Sequence, residues 1–280
     1  MIFFTLLKQP FVENAFIAGT LIAVISAVIG YFVVLRAEAF AAHALSHVGF
    51  AGATLAALLG ASSLLGMSGF TVLAGLGMGA LGKRIRGRDI EIGITLSFAL
   101  GLGVLFLRLY TNSASETVSV LFGSILSVTR ANIVWTIVLG VATLSVLAAI
   151  GRPLLFASID PDSAQARGVP VKLLSIVFML LVAITVSEAI QVVGVLLVFA
   201  LIVAPAAISQ HVTRRPFSAI MLSAVLGGVF VWGGLCLALA TRFPVSFYIS
   251  VIAALTYFVV VGSSHIVRPH AQEIPEPRCH

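Results

Sequence analysis

The sequence predicts an all-α membrane protein with about nine spanning helices, with eight as the alternative count. Of its 280 residues, 60% are hydrophobic and only 9% are charged, whereas an ordinary soluble domain has roughly 25% charged residues. The mean hydropathy of +1.16 leaves more apolar side chain than a soluble fold of this size could bury. The apolar runs are continuous rather than alternating, which favours spanning helices over a membrane β-barrel.

Eight runs contain no Asp, Glu, Lys or Arg, and a spanning helix needs roughly 20 mainly apolar residues. The second run is long enough for two crossings, and we divide it within the glycine-containing stretch Gly60–Gly69. The fifth run is short, and is either a marginal span or half of a broken helix. In chain order the runs are Asn14–Leu35, Ala39–Gly82, Ile92–Leu107, Ala131–Gly151, Leu173–Ser187, Ala189–Thr213, Phe217–Thr241 and Phe243–Val267.

The basic residues predict the orientation in the cell membrane, either inner or plasma. They cluster in alternate connections, and the positive-inside rule places those connections in the cytoplasm. The N-terminus then faces outward. We predict one membrane domain over residues 1–267 and a disordered, proline-containing cytoplasmic tail over 268–280. Because the basic residues form no groove, we expect no nucleic-acid binding. They are Lys83, Arg84, Arg86, Arg88, Arg152, Arg167, Lys172, Arg214, Arg215 and Arg268.

The longest polar interruption spans residues 152–172 and carries helix start and stop signals. Asp160 can cap a helix, Pro161 suits its first position, and Gly168 can end it. A short helix on the cytoplasmic face is one interpretation of this segment, and an ordinary connecting loop is the other.

His43 and His47 are the residues most indicative of chemistry. They lie four apart, so on a helix they share one face. A histidine deep in a membrane is costly and usually faces a cavity or a partner. Two neutral imidazoles at this spacing can bind one first-row metal ion together, and the remaining ligands could come from water or from a second copy of the chain. The competing interpretation is a pair of packing histidines bonded to backbone carbonyls.

Glu188, with Gln191 beside it, is the second candidate. It falls near the outer end of a predicted span, where a carboxylate could guide a cation inward. The competing interpretation is a charge that marks the end of a helix.

The sequence carries no Walker A, Gly-x-Ser-x-Gly or His-Glu-x-x-His motif, so we do not expect an enzyme. A transporter that concentrates an ion then needs either an ion gradient or a separate ATPase subunit. A gradient-driven transporter would use intramembrane carboxylates, of which Glu188 is the one candidate. An intramembrane enzyme using the two histidines would lack a nucleophile at their depth.

Four segments together resemble the permease subunits of the ABC importers for zinc, manganese and iron. They are Val34–Gly52, Leu121–Leu126, Asp160–Pro170 and Val192–Ala207. The resemblance implies a homodimer in the lipid bilayer, a cytoplasmic ATP-binding subunit, an extracytoplasmic metal-binding protein, and no permanently bound cofactor. It implies that His47 lines the metal path and that the third segment couples to the ATPase. The coupling residues would be Asp160, Pro161, Asp162, Ala164, Gly168 and Pro170.

Two positions depart from the pattern of that family. Its members commonly have an Asp where this chain has His43, and often an acidic residue where it has Ser124. Imidazole suits zinc, whereas carboxylate suits manganese. The resemblance therefore implies a permease for a divalent transition metal, most readily zinc, with manganese and iron left open.

Overall fold

The computed structural model describes residues 9–81, 88–109, 123, 125–241 and 243–267. A short 3-10 turn, Ile125–Ser127, precedes the fifth helix. The helices within these residues are α1 Pro10–Leu35, α2 Ala39–Leu58, α3 Ser63–Leu81, α4 Arg88–Leu109, α5 Arg130–Ile159, α6 Pro161–Ala166, α7 Val171–Val193, α8 Val195–Val212, α9 Pro216–Ala240 and α10 Val245–Val267.

All of these helices except the short α6 are long and apolar enough to cross a membrane, which gives nine spans in the described part of the chain. The predicted count of nine is therefore confirmed over the alternative of eight. The division of the second run is also confirmed, and it falls at Gly60. This residue has φ +69, a left-handed conformation that glycine adopts without strain. Gly69, by contrast, lies inside α3.

The boundary predicted at Glu188 is wrong. The run Leu173–Ser187 is part of a complete span, because α7 continues through Glu188 to Val193. The chain turns back at Gly194, which has φ +84 and donates its N–H to Ile190 O at 2.9 Å. A single buried carboxylate does not interrupt helical hydrogen bonding, whereas a left-handed glycine ends it.

The best-buried helices, α1, α2 and α7, form the core of the bundle with α8, while α4 and α10 lie at its periphery. α2 packs against α3 and α4, α3 packs against α7, and α1 packs against α8 and α9. Large apolar side chains point away from the bundle, as expected where lipid is the solvent. Examples are Leu65, Phe98, Trp135 and Phe258.

The α1–α2 connection, the end of α5 and the start of α7 lie at the same end of the bundle. Arg36, in that connection, donates hydrogen bonds to Ser158 and Ser175. The end of α8 is there too, since Gln210 Nε2 donates to Tyr31 O at 2.8 Å. We call this the inner end, because the predicted orientation places its basic connections in the cytoplasm.

The tail 268–280, Ser124 and the basic residues Lys83, Arg84 and Arg86 lie outside the described residues.

Candidate functional site

α2 is held close to its neighbours by small residues. A Cβ added at Gly52 would collide with the backbone carbonyl of Gly66 on α3, and one at Gly66 would collide with that of Gly52. One at Gly49 would lie 3.0 Å from Thr71 Cγ2 and 3.1 Å from Ile190 Cδ1. The alanine- and glycine-rich sequence of α2 therefore lets backbones meet, as small residues do in membrane helix pairs. This packing fixes the helix that carries the two histidines.

His43 and His47 lie together on one face of α2, as their spacing predicted. Their ring centroids are 4.8 Å apart, with ring planes at 88° to each other. The Nδ1 atoms of both rings are buried and have no hydrogen-bond partner. The predicted carbonyl partners of packing histidines are therefore missing at these two atoms, and a buried nitrogen without a partner is costly. Neither Nδ1 atom is therefore engaged by another residue that the structure describes.

The histidine face is only partly covered by the rest of the chain. Phe199 on α8 contacts the His43 ring at 4.9 Å between centroids and is itself 36% exposed. Both histidines are half-buried. Among the residues that the structure describes, no three His, Cys, Asp or Glu side chains converge on a metal-sized position. In the part of the chain that the structure describes, this face of α2 thus carries two imidazoles with no third His, Cys, Asp or Glu side chain beside them.

Glu188 and Gln191 do not join the histidines. Glu188 is 9% exposed and accepts a hydrogen bond from Thr136 on α5, while its Oε2 has no hydrogen-bond partner. Gln191 Nε2 donates to Ser187 O at 3.4 Å. The nearby contact of Ile190 with the Gly49 position puts α7 on another side of α2, since two residues turn a helix by about 200°. Glu188 is thus a buried polar group in its own surroundings, one and a half turns from the end of α7.

The bounds predicted for the polar segment, 152–172, are too wide, because residues 152–159 continue the helix α5; the remaining stretch between α5 and α7 forms a short helix rather than a loop. Asp160 caps α6 by accepting from Ser163 N at 3.0 Å, and the Ser163 hydroxyl donates to the same carboxylate at 2.5 Å. These bonds hold the pKa of Asp160 below its ordinary value, so the cap stays ionised at neutral pH. Pro161 occupies the first helical position, and Gly168 ends the segment with φ +81. The predicted cap, start and stop residues are confirmed.

One side of α6 packs inward and the other is open. Ala164 is fully buried, whereas Asp162 and Gln165 are exposed. An open cleft of about 700 Å³ lies between α6 and the first turn of α7. Its lining includes Asp162, Gln165, Pro170 and Lys172. The inner end thus offers a recess with both charge signs beside an exposed helix.

Sequence reasoning missed two features near the histidines. One is the contact with Phe199, which comes from a distant helix and carries no local signal. The other is a buried cluster formed by Arg36 and Glu38, whose exposed fractions are 3% and 2%. Two opposite charges between long uncharged runs were a signal that could have revealed this cluster.

Comparison with known proteins identifies one family over most of the chain. The model of the ABC 3 transport family matches residues 8–264. The chain is 28% identical to the manganese transport system membrane protein MntC of Listeria monocytogenes, over 91% of each protein. It is 27% identical to the high-affinity zinc uptake system membrane protein ZnuB of Haemophilus influenzae, over 80% of this chain and 86% of that one.

A solved structure shows the same fold. PsaBC from Streptococcus pneumoniae, determined in complex with a Fab, superposes with a TM-score of 0.82 and 28% sequence identity. The match covers 93% of this chain and 95% of the solved chain.

Proposed function

Because the chain belongs to the ABC 3 transport family, we propose that it is the permease subunit of an ATP-driven importer for a divalent transition metal. It is a multi-pass membrane protein, and its sequence has no nucleotide-binding motif, so a separate subunit supplies ATP hydrolysis. Membership of the family favours this energy source over an ion gradient. The observation that carries the metal assignment is the histidine pair on α2, with both Nδ1 atoms buried and without a partner.

In this proposal, two copies of the chain complete the metal path. A closed structural zinc site has four protein ligands, whereas a site that exchanges its ion keeps open positions. The partly exposed face of His43 and His47 would meet the same face of a second copy across a twofold axis. Four imidazoles could then surround the ion, and water could replace any of them as the ion moves on. Support for a dimer comes from the resemblance to the importer permeases and from the general prevalence of twofold dimers among oligomers.

We propose zinc as the preferred ion. Imidazole is a borderline ligand that suits zinc, and His43 supplies nitrogen where the family commonly supplies a carboxylate. Manganese is the second candidate, since MntC is named as a manganese transport protein and matches 91% of this chain. ZnuB, named for zinc uptake, supports the first candidate.

Two further roles belong to the same proposal. Glu188 and Gln191 form a cation-binding position nearer the outer side. There the Oε2 of the buried Glu188 carboxylate, which has no hydrogen-bond partner, attracts the cation before it reaches the histidines. Asp160, Pro161, Asp162, Ala164, Gly168 and Pro170 form the segment that docks on the ATPase. The exposed face of α6 and the cleft beside it support that assignment.

The test is uptake of zinc by the assembled transporter carrying His47→Ala. We expect uptake to be lost while the protein still inserts and dimerises, because the half-open pair then has one ligand. His211→Ala is the matched control, since His211 is exposed and its ring contacts the backbone oxygen of Ala207, one turn earlier in its own helix. Wild-type uptake by a well-expressed His47→Ala variant would remove the histidine pair from the path.

A further inference from the structure

The guanidinium of Arg36 ties three helices together at the inner end. Its Nη2 donates to Glu38 Oε1 at 3.2 Å and to Ser175 Oγ at 3.0 Å, and its Nη1 donates to Ser158 Oγ at 3.4 Å. The guanidinium carbon also lies 5.2 Å from the centre of the Phe178 ring. Glu38 immediately precedes α2, Ser158 is the penultimate residue of α5, and Ser175 lies in α7.

Two of these three attachments flank α6 along the chain. Ser158 stands two residues before the cap Asp160, and Ser175 stands five residues after Pro170. A displacement of α6 therefore acts on both serines that hold Arg36. On the other side, Glu38 is five residues from His43, which is about 7.5 Å along a helix axis. A short, largely buried connection thus runs from α6, through the two serines and Arg36, to the helix that carries the histidines.

The connection between α1 and α2 is also stiff, and held in an unfavourable conformation. Glu38 N donates to Val33 O at 2.8 Å and Ala37 N donates to Val34 O at 3.0 Å, which is the hydrogen-bond pattern of a Schellman motif. The left-handed position of that motif usually holds glycine, but here it holds Ala37 with φ 55. A residue other than glycine keeps such a conformation only where the surrounding structure holds its backbone in place. The contacts of Arg36, the residue before Ala37, provide part of that restraint.

A tie needed only for stability could be made of apolar side chains. Burying an ion pair among packed helices is expensive, and well-packed hydrophobic replacements are often as stable or more so. A guanidinium differs from an apolar side chain because its hydrogen bonds are directional. The Arg36 group therefore fixes the positions of α2, α5 and α7 relative to one another. The strained alanine adds stiffness, since glycine would move more freely at the same φ.

We infer that the Arg36–Ala37–Glu38 connection is a lever that transmits movement of α6 to α2, and that Arg36 is its positioning residue. When the ATPase displaces α6, Ser158 and Ser175 carry Arg36 with them, and Glu38 turns the start of α2. The face bearing His43 and His47 then changes its exposure. This inference rests on the proposed function, since it assumes that α6 receives the push of an ATPase.

The test compares three variants of the complete transporter with its ATPase and binding protein. Ala37→Gly keeps the fold, because glycine adopts φ 55 without strain, but it makes the backbone of the connection more flexible. Arg36→Lys keeps the positive charge but replaces the planar guanidinium, which can donate hydrogen bonds in several fixed directions, by a single ammonium group. Ala61→Gly is the control for an alanine-to-glycine change in a motif of the same type at the outer end of α2, where Gly60 already holds the left-handed position and Ala61 N donates to Ala56 O. The quantities are ions transported per ATP hydrolysed and the midpoint of thermal unfolding.

We expect Ala37→Gly and Arg36→Lys to lower ions per ATP by roughly two- to thirtyfold, the range that altered coupling energies produce. ATP hydrolysis should continue, and the unfolding midpoint of Ala37→Gly should be unchanged or raised. Ala61→Gly should behave as wild type. Wild-type ions per ATP in both Arg36→Lys and Ala37→Gly would reduce the connection to a structural tie.

A second measurement needs no metal and separates this inference from the proposed function. Phe40, which is 40% exposed, is replaced in Phe40→Cys against a Cys236→Ser, Cys279→Ser background. Its rate of maleimide labelling is measured with and without ATP and vanadate. The nucleotide should change this rate with the native connection but not with Ala37→Gly, even if zinc and manganese are not the cargo. A rate that ignores nucleotide in the native connection, or responds equally in Ala37→Gly, would overturn the lever.

Discussion

Replacing Gly52 by alanine should destabilise the protein by driving α2 and α3 apart. The new Cβ would meet the carbonyl of Gly66 and would lie 2.7 Å from Phe70 Cβ, closer than real Cβ contacts come. Overpacking of this kind costs roughly 1–3 kcal/mol, and here backbone rather than a flexible side chain must move. Alanine also gains about 1 kcal/mol over glycine in a helix, which opposes the steric cost.

Comparison with Gly69→Ala separates the steric cost of Gly52→Ala from the gain in helix propensity. Gly69 lies inside α3 with no heavy atom within 4 Å of its added Cβ, so it receives the propensity gain alone. The difference between the two variants should therefore be roughly 1–3 kcal/mol, which for a chain of this size corresponds to an unfolding midpoint lower by the order of 5 °C. The assay is the monodisperse fraction recovered after heating in one detergent. Equal midpoints for Gly52→Ala and Gly69→Ala would refute the close crossing and with it the fixed position of the histidine helix.

Two further predictions concern the docking segment and the ion. In cross-linking with the ATPase in membranes, Gln165→Cys should form adducts because Gln165 is exposed, whereas Ala164→Cys should not because Ala164 is fully buried; adducts from both or from neither would contradict the docking face. In competition uptake, His43→Asp should move the preference from zinc toward manganese, because it replaces a borderline nitrogen by a hard oxygen. Identical metal ratios in His43→Asp and wild type would show that His43 never touches the ion.

The number of spans could be predicted because each crossing is a local property of composition. At one boundary a charge and a glycine disagreed, and the glycine marked the end of the helix. Glu188 is buried inside α7, while the chain reverses at Gly194 with φ +84. A carboxylate can be satisfied by a neighbour such as Thr136, and a helix that contains it loses no backbone hydrogen bond. Charge patterns therefore locate connections well only where the charges are solvated.

Sequence analysis could predict only those parts of the candidate site that lie within a single helix. A spacing of four residues was enough to place His43 and His47 together, because it is a property of the helix itself. The contact with Phe199 joins residues 156 positions apart, and the bond from Arg36 to Ser175 joins residues 139 positions apart. No local pattern encodes such pairings. The same limit explains why the sequence analysis could count Ala164 among the coupling residues without showing that its side chain is buried, since burial against neighbouring helices is not visible in the sequence of α6.

In the proposed function, a metal site that one copy of the chain leaves incomplete bears directly on how the ion is released. A site that stores zinc closes its coordination sphere with protein ligands, and the ion then leaves only when the fold opens. Here α2 presents two imidazoles whose buried Nδ1 atoms have no partner, and the rest of their face remains half-open. If a second copy supplies the missing ligands across a twofold axis, a small rotation of α2 in each copy separates the two halves of the site at once. An ion held in this way is released by movement between helices, with no need to unfold either copy, and the buried tie at Arg36 stands where such a rotation would begin.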